Sequence, residues 1–185
     1  LATILSVGFP ETMLNFLPKN TKEERRARAL MIIRCLFTVG LICSILFLAL
    51  PILNFLSPEL ASILIPDSLS INRELIIYSA LAMAIYPIFD LPCQVMQQFL
   101  IVEKRARTAA AAAVFKSLGY SLALITPLSL GAPLWTAFAS ISVFGFFHAL
   151  LLFYFFRKIY GDCEKAETAL TLPELLKFAI PLGLT

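Results

Sequence analysis

Charge, glycine and histidine are scarce in this chain of 185 residues. Asp, Glu, Lys and Arg make up 15% of it, there are 7 glycines, and His148 is the only histidine. Soluble domains carry about 25% charged and about 45–50% apolar residues. Here 59% of the residues are hydrophobic and the mean hydropathy is +0.86. A soluble core could not bury this much apolar surface, so the composition excludes a soluble globular protein.

The sequence also lacks the spacings on which most enzyme and metal sites depend. Its four cysteines form no CxxC or Cys/His pattern, so we expect them to be small apolar side chains. There is no P-loop, dinucleotide fingerprint or Ser/His/Asp arrangement. Alternating strands typical of a membrane barrel are absent too. We therefore expect a protein that is not an enzyme and needs no cofactor or metal.

Long apolar runs are what the sequence does contain. They cover 1–17, 29–56, 75–102, 108–130 and 134–156, and a sixth begins at 174. Runs of about 20 apolar residues match the roughly 30 Å hydrocarbon core of a bilayer, where helices satisfy their own backbone groups. The sequence predicts an all-α polytopic membrane protein, a bundle of transmembrane helices. Because both ends of the chain lie inside apolar runs, we expect it to be part of a longer protein.

The basic residues alternate between connections. Eleven of the 15 Lys and Arg residues fall in 18–28, 103–107 and 157–172, whereas the connections between these carry only Arg73. The positive-inside rule predicts that the three basic loops are cytoplasmic. We interpret them as topology signals and expect no nucleic-acid partner. Thr21 with Glu24 forms a capping-box pattern, which predicts that a helix begins near Lys22.

Ionisable side chains are costly inside a bilayer, so each one is a candidate functional residue. Asp90 lies near the middle of its segment, between Pro87 and Pro92, and these prolines predict a kink. Gln94 and Gln97 follow four and seven residues later on the same helical face. This stripe predicts either a cavity wall with a cation or proton site, or a buried polar cluster that holds helices together.

Three cations lie at or near membrane depth. Lys116 is roughly 12 Å inside its segment at 1.5 Å per residue. It could snorkel, pair with Asp90 or face an anionic substrate. Arg34 and Lys177 lie near cytoplasmic helix ends, where either snorkelling or substrate contact would explain them.

Two further ionisable groups, Glu11 and His148, each have two possible interpretations. Glu11 follows Pro10 and could serve in coupling or in structural pairing. His148 could relay protons, or could be a hydrogen-bonded packing residue. The aromatic residues between 144 and 156 are interpreted as lipid-facing bulk with an interfacial belt rather than a ligand site.

The stretch 5–19, LSVGFPETMLNFLPK, resembles the second helix of polysaccharide-unit flippases. The long helix after it, the short basic turn 103–107, a small Gly-containing turn at 131–133 and the sequence KFAIPL at 177–182 are similar to later parts of that family. These flippases belong to the multidrug/oligosaccharidyl-lipid/polysaccharide (MOP, MATE-like) superfamily. The resemblance implies that 1–170 is a partial N-terminal lobe, helices two to six of six, and that 171–185 starts helix seven, with the second lobe missing.

The resemblance also implies a function. The protein would flip a polyprenyl-diphosphate-linked oligosaccharide across the bacterial cytoplasmic (inner) membrane for polysaccharide or lipopolysaccharide biosynthesis, by alternating access. From depth and chemistry, the expected substrate-binding residues are Lys116, Arg34, Lys177, Gln94 and Gln97. Those expected to couple transport to sodium or protons are Asp90, Glu11 and His148. The expected partners are the lipid-linked oligosaccharide, the bilayer and the coupling ion.

Three other classes stay open on the sequence. A multidrug exporter coupled to sodium or protons would use the acidic groups Asp90 and Glu11. A membrane-embedded enzyme of lipid-linked glycan assembly would be favoured by large external loops, and the longest connection here is only 57–73. A non-transporting scaffold would be favoured by wholly apolar helices, which the polar residues at depth argue against.

Overall fold

A computed structural model describes residues 21–56 and 73–161 of the chain. These residues form five helices and no strand. The helices are α1 (Lys22–Leu56), α2 (Arg73–Met83), α3 (Tyr86–Val102), α4 (Ala106–Ser129) and α5 (Leu134–Tyr160). The prediction of an all-helical chain is confirmed for this part. Glu11, Lys177 and the apolar segments that hold them lie outside the described residues.

Several of these helices match the thickness of a bilayer. α1, α4 and α5 are each long and apolar enough to cross a membrane, and α2 with α3 passes the same test as one bent span. They coincide with the predicted segments 29–56, 75–102, 108–130 and 134–156. Helix lengths and composition are thus those of a multi-pass membrane protein.

The start of α1 follows from its capping box. The Thr21 backbone N–H donates to the Glu24 carboxylate, and the Glu24 N–H donates to the Thr21 hydroxyl, both at 3.3 Å. The predicted cap is therefore confirmed. α1 has 35 residues, which is about 52 Å at 1.5 Å per residue. That exceeds the roughly 30 Å hydrocarbon core, so a membrane that contains α1 leaves part of the helix outside its apolar layer.

The predicted kink lies between α2 and α3, whose axes differ by 42°. Pro87 in the first turn of α3 has no N–H to donate to the carbonyl of Met83, so the helix breaks there. Pro92 is accommodated inside α3. The Ser142 hydroxyl of α5 donates to the Ala82 carbonyl at 2.6 Å, which gives the broken region a polar partner from a neighbouring helix.

α3 is the central helix of the described bundle. It packs against α1, α4 and α5, and most extensively against α1. Arg25 contacts Glu103. Gly40, further along α1, contacts Ile88, which precedes Glu103 by the same number of residues that separates Gly40 from Arg25. α1 and α3 are therefore antiparallel and in register. A Cβ on Gly40 would lie 2.7 Å from the Pro87 carbonyl oxygen, so the close approach of the two helices requires glycine there.

The outer faces of the long helices carry large exposed apolar side chains. Examples are Ile45, Leu46, Leu122, Ile125, Phe147 and Tyr154. On α4 only Ala109 and Ala112 are buried, and small side chains of this kind let membrane helices pack closely. The aromatic residues of α5 divide into two sets. Phe147 and Phe153 are exposed as predicted, whereas Phe144 and Phe156 pack against rings of other helices. Phe146 is exposed but also packs against Phe89.

Candidate functional site

The Asp90 carboxylate is the most enclosed charge among the described residues. It lies on α3 and its side chain is 5% exposed. The Lys116 ammonium of α4 donates to its Oδ1 at 2.9 Å, forming an ion pair between the two helices. The Lys116 side chain is 23% exposed, so it is the more accessible partner. Of the three arrangements considered for Lys116, the structure has the pairing with Asp90.

Two neutral donors complete the surroundings of the carboxylate. The Gln94 amide, one helical turn further along α3, donates to Oδ2 at 3.1 Å. The Tyr120 hydroxyl, one turn beyond Lys116 on α4, lies 3.4 Å from Oδ1. Asp90 therefore has donors on both oxygens and from both helices. A charge at membrane depth is tolerated only when it is paired and hydrogen-bonded in this way.

Aromatic rings enclose the ion pair on the side of α5. Tyr86 packs edge-on against Tyr120 at 5.9 Å between centroids, and Tyr120 packs against Phe144 at 5.0 Å. A Cβ on Gly145 would lie 3.4 Å from both tyrosines, which shows how closely α5 approaches them. Phe144 also covers Gly119 on α4. These small residues let three helices close around a polar centre.

His148 lies on α5 beside this aromatic wall. It is 1% exposed, its ring stacks on Phe144 at 6.2 Å, and it lies 6.4 Å from the ring of Phe115. Neither ring nitrogen has a hydrogen-bond partner within 21–56 and 73–161. The described residues therefore do not supply the hydrogen bonds that a packing role for His148 would require. A buried polar group without a partner is costly and calls for a specific explanation.

The other predicted site residues do not join the ion pair. Arg34 is exposed on α1 and lines an apolar cavity on the opposite side of α3. Gln97 is half-buried on α3, seven residues beyond Asp90. Glu11 and Lys177 lie outside the described residues. The structure thus brings together Asp90, Lys116 and Gln94, with His148 close by, and separates Arg34 from them.

Sequence reasoning missed two features. Tyr120 was recognisable only as a residue four positions after Lys116, on the same helical face. The second feature is an ion pair at the helix ends, where Arg25 Nε lies 2.9 Å from the Glu103 carboxylate and the Tyr160 hydroxyl donates to it at 2.7 Å. Glu103 was visible as the one acidic residue of the basic turn 103–107. Arg25, interpreted as a topology signal, thus also ties α1 to α3 and α5.

Membrane-length helices around a paired carboxylate and amine define a polytopic helical membrane protein with a polar centre between its helices. Within the described ranges, no three His, Cys, Asp or Glu side chains lie close enough to hold a metal ion. Comparison with protein-family models, curated proteins and solved structures gives no match for this chain.

Proposed function

We propose that the chain is part of a membrane transporter that flips a polyprenyl-diphosphate-linked oligosaccharide across the bacterial cytoplasmic membrane by alternating access. The observation that supports this most is the Asp90–Lys116 pair between α3 and α4. Ionisable groups within membrane helices mark ion and substrate pathways more often than they serve packing. The cargo class rests on the resemblance of stretch 5–19 to polysaccharide-unit flippases.

The mechanism we propose is an exchange of ion-pair partners. Without cargo, Asp90 neutralises Lys116. An anionic diphosphate that reaches the partly exposed Lys116 competes with Asp90 for the ammonium. Removing one partner of a buried pair costs about 3–5 kcal/mol if the other charge stays uncompensated. Release of Asp90 therefore requires a proton or sodium ion to replace Lys116, and this couples cargo to ion.

The neighbouring groups have defined tasks in this exchange. Gln94 and Tyr120 keep donating to the carboxylate while its charged partner changes. His148, whose ring nitrogens have no hydrogen-bond partner among the described residues, is the group we assign to accept or deliver the proton. Gln97, on the same helix, offers an amide to sugar hydroxyls.

A multidrug exporter is the second candidate, because a buried carboxylate is a ready cation site. The pairing argues against it, since Lys116 already neutralises Asp90 at 2.9 Å. An organic cation would first have to displace that ammonium. An anionic cargo instead gains the ammonium as a partner, which is why we prefer it.

The test compares the native protein with Lys116→Ala and Asp90→Ala in cells, with membrane levels of each variant measured. We expect surface polysaccharide to fall about tenfold or more, as loss of about 1.4 kcal/mol implies, while lipid-linked oligosaccharide accumulates inside. The exchanged pair, Asp90→Lys with Lys116→Asp, is the matched control. If it restores protein level and export together, the pair is structural only. If deleting the protein leaves surface glycan unchanged and raises drug sensitivity, the exporter is correct.

A further inference from the structure

An apolar cavity of about 430 Å³ opens between α1, α3 and α5, on the side of α3 away from Asp90. Its volume is within the range of about 300–1,000 Å³ found for small-molecule sites. Its lining is aliphatic, aromatic and sulfur-containing except for Arg34 and Thr38, and the Thr38 hydroxyl donates to the Arg34 carbonyl. We call this cavity the α1–α3–α5 groove.

The groove has a direction. Arg34, Met96 and Phe153 lie toward the basic ends of the three helices, where Arg25 and Glu103 meet. Ile88 and Phe146 lie nearer to the middle of the bundle. One end of the groove therefore carries the cationic Arg34, and the other is apolar apart from the Thr38 hydroxyl, which is bonded to the backbone. An anionic lipid in the leaflet next to the basic loops matches this arrangement, because its charged headgroup lies at the loops and its hydrocarbon chain points to the middle of the bundle.

Arg34 has no ion-pair partner among the described side chains. An unpaired guanidinium at membrane depth is expensive, so it needs an anion or a route to water. Its planar donors match a phosphate group in bidentate geometry. A hydrocarbon chain in the groove would place such a phosphate beside Arg34.

We propose that the α1–α3–α5 groove is a loading site for the lipid carrier. The isoprenoid chain lies in the groove, and its diphosphate is held by Arg34 before transfer to Lys116 on the other side of α3. The oligosaccharide then projects from the basic end of the bundle. This inference rests on the proposed function and adds a second anion site to it.

The experiment measures binding of polyprenyl diphosphate, polyprenol and phosphatidylglycerol to the full native protein in lipid nanodiscs. We expect the diphosphate to bind about tenfold more tightly than the other two, as expected for hydrogen bonds to a charged group. Arg34→Gln should remove that preference. Ala149→Trp, which fills the groove wall, should weaken both isoprenoid lipids about tenfold. Ala111→Trp, on an exposed position of α4, is the matched control and should change neither.

Four results would overturn the proposal. Three of them are unchanged binding in Ala149→Trp, retained diphosphate preference in Arg34→Gln, and equal binding of phosphatidylglycerol. A fourth is loss of thermal stability in Arg34→Gln that Glu11→Gln restores, because Arg34 would then be paired within the chain. If Ala149→Trp does not insert, Arg34→Gln and the lipid comparison still decide.

The two proposals fail separately. If the carrier binds as expected but glycan export does not depend on the protein, the groove stands and the proposed function falls. If export depends on the protein and Ala149→Trp exports and binds like the native chain, the groove alone is wrong.

Discussion

Two ion pairs, one within α3 and one just after its last residue, have the same N–O distance but lie at different positions in the bundle. Asp90–Lys116 and Glu103–Arg25 both measure 2.9 Å. The first lies inside the bundle, and the second joins helix ends about 20 Å away along α3 at 1.5 Å per residue. Distance alone therefore says little about how much a charge pair matters. Position decides, because a charge left unpaired at the helix ends can be resolvated, whereas one left unpaired between apolar helices cannot.

The inner pair also differs in what surrounds it. Asp90 is held by Gln94 and Tyr120 and enclosed by aromatic rings, whereas Glu103 receives one further hydrogen bond, from Tyr160. The end pair fastens three helices at the basic side of the bundle. The inner pair joins only two, and its lysine remains partly accessible. Lys116 and Arg25 are similarly accessible, at 23% and 19% exposed, so we assign the exchange of partners to Asp90 and Lys116 because of their position between the helices and the enclosed carboxylate.

The largest loss of stability is expected when only one partner of the Asp90–Lys116 pair is removed. Lys116→Met leaves an uncompensated carboxylate, and we expect the free energy of unfolding to fall by about 3–5 kcal/mol. Thermal unfolding of the purified protein measures this. Adding Asp90→Asn should recover most of the loss, because the charge is then gone. A double variant as unstable as Lys116→Met would contradict this account of the pair.

A smaller loss of stability is expected where α1 and α3 meet deeper in the bundle, at Gly40. Gly40→Leu forces a side chain against the Pro87 carbonyl and the Ile88 backbone. We expect a loss of about 1–3 kcal/mol, as for overpacking in a close-fitting core. Ile42→Ala, on the exposed face of α1, is the control and should change much less. Equal effects of the two substitutions would mean that α1 and α3 do not meet at Gly40.

The smallest effect is expected at the helix ends. Arg25→Gln removes the end pair. Its side chains are only 19% and 11% exposed, but water can reach Glu103 at the helix end once the arginine is gone, so we expect a loss of about 1 kcal/mol. Salt should weaken this pair, because charges near water are screened over about 8 Å at physiological ionic strength. Raising salt should therefore reduce the difference in unfolding free energy between the native chain and Arg25→Gln. The difference between the native chain and Lys116→Met should stay almost unchanged. A larger loss for Arg25→Gln than for Lys116→Met would reverse the comparison.

Much of the fold could be predicted from local patterns. The span limits follow from apolar runs that match a bilayer, and the start of α1 follows from Thr21 and Glu24, whose hydrogen bonds involve only neighbours in sequence. The kink was predicted from two prolines. Which of them breaks the helix depends on packing, because Gly40 of α1 and Ser142 of α5 contact the backbone on either side of the break before Pro87.

The candidate site, too, could be predicted only in part from local patterns. The sequence by itself determined that Asp90, Lys116, Gln94 and His148 lie within long apolar runs, because that depends only on position along the chain. Tertiary structure alone decided that Lys116 is bound to Asp90, that Tyr120 joins them, and that Arg34 faces another cavity. The physical reason is that hydropathy and helical period set a residue's depth and face, whereas partners across helices depend on how α3, α4 and α5 rotate and pack against one another.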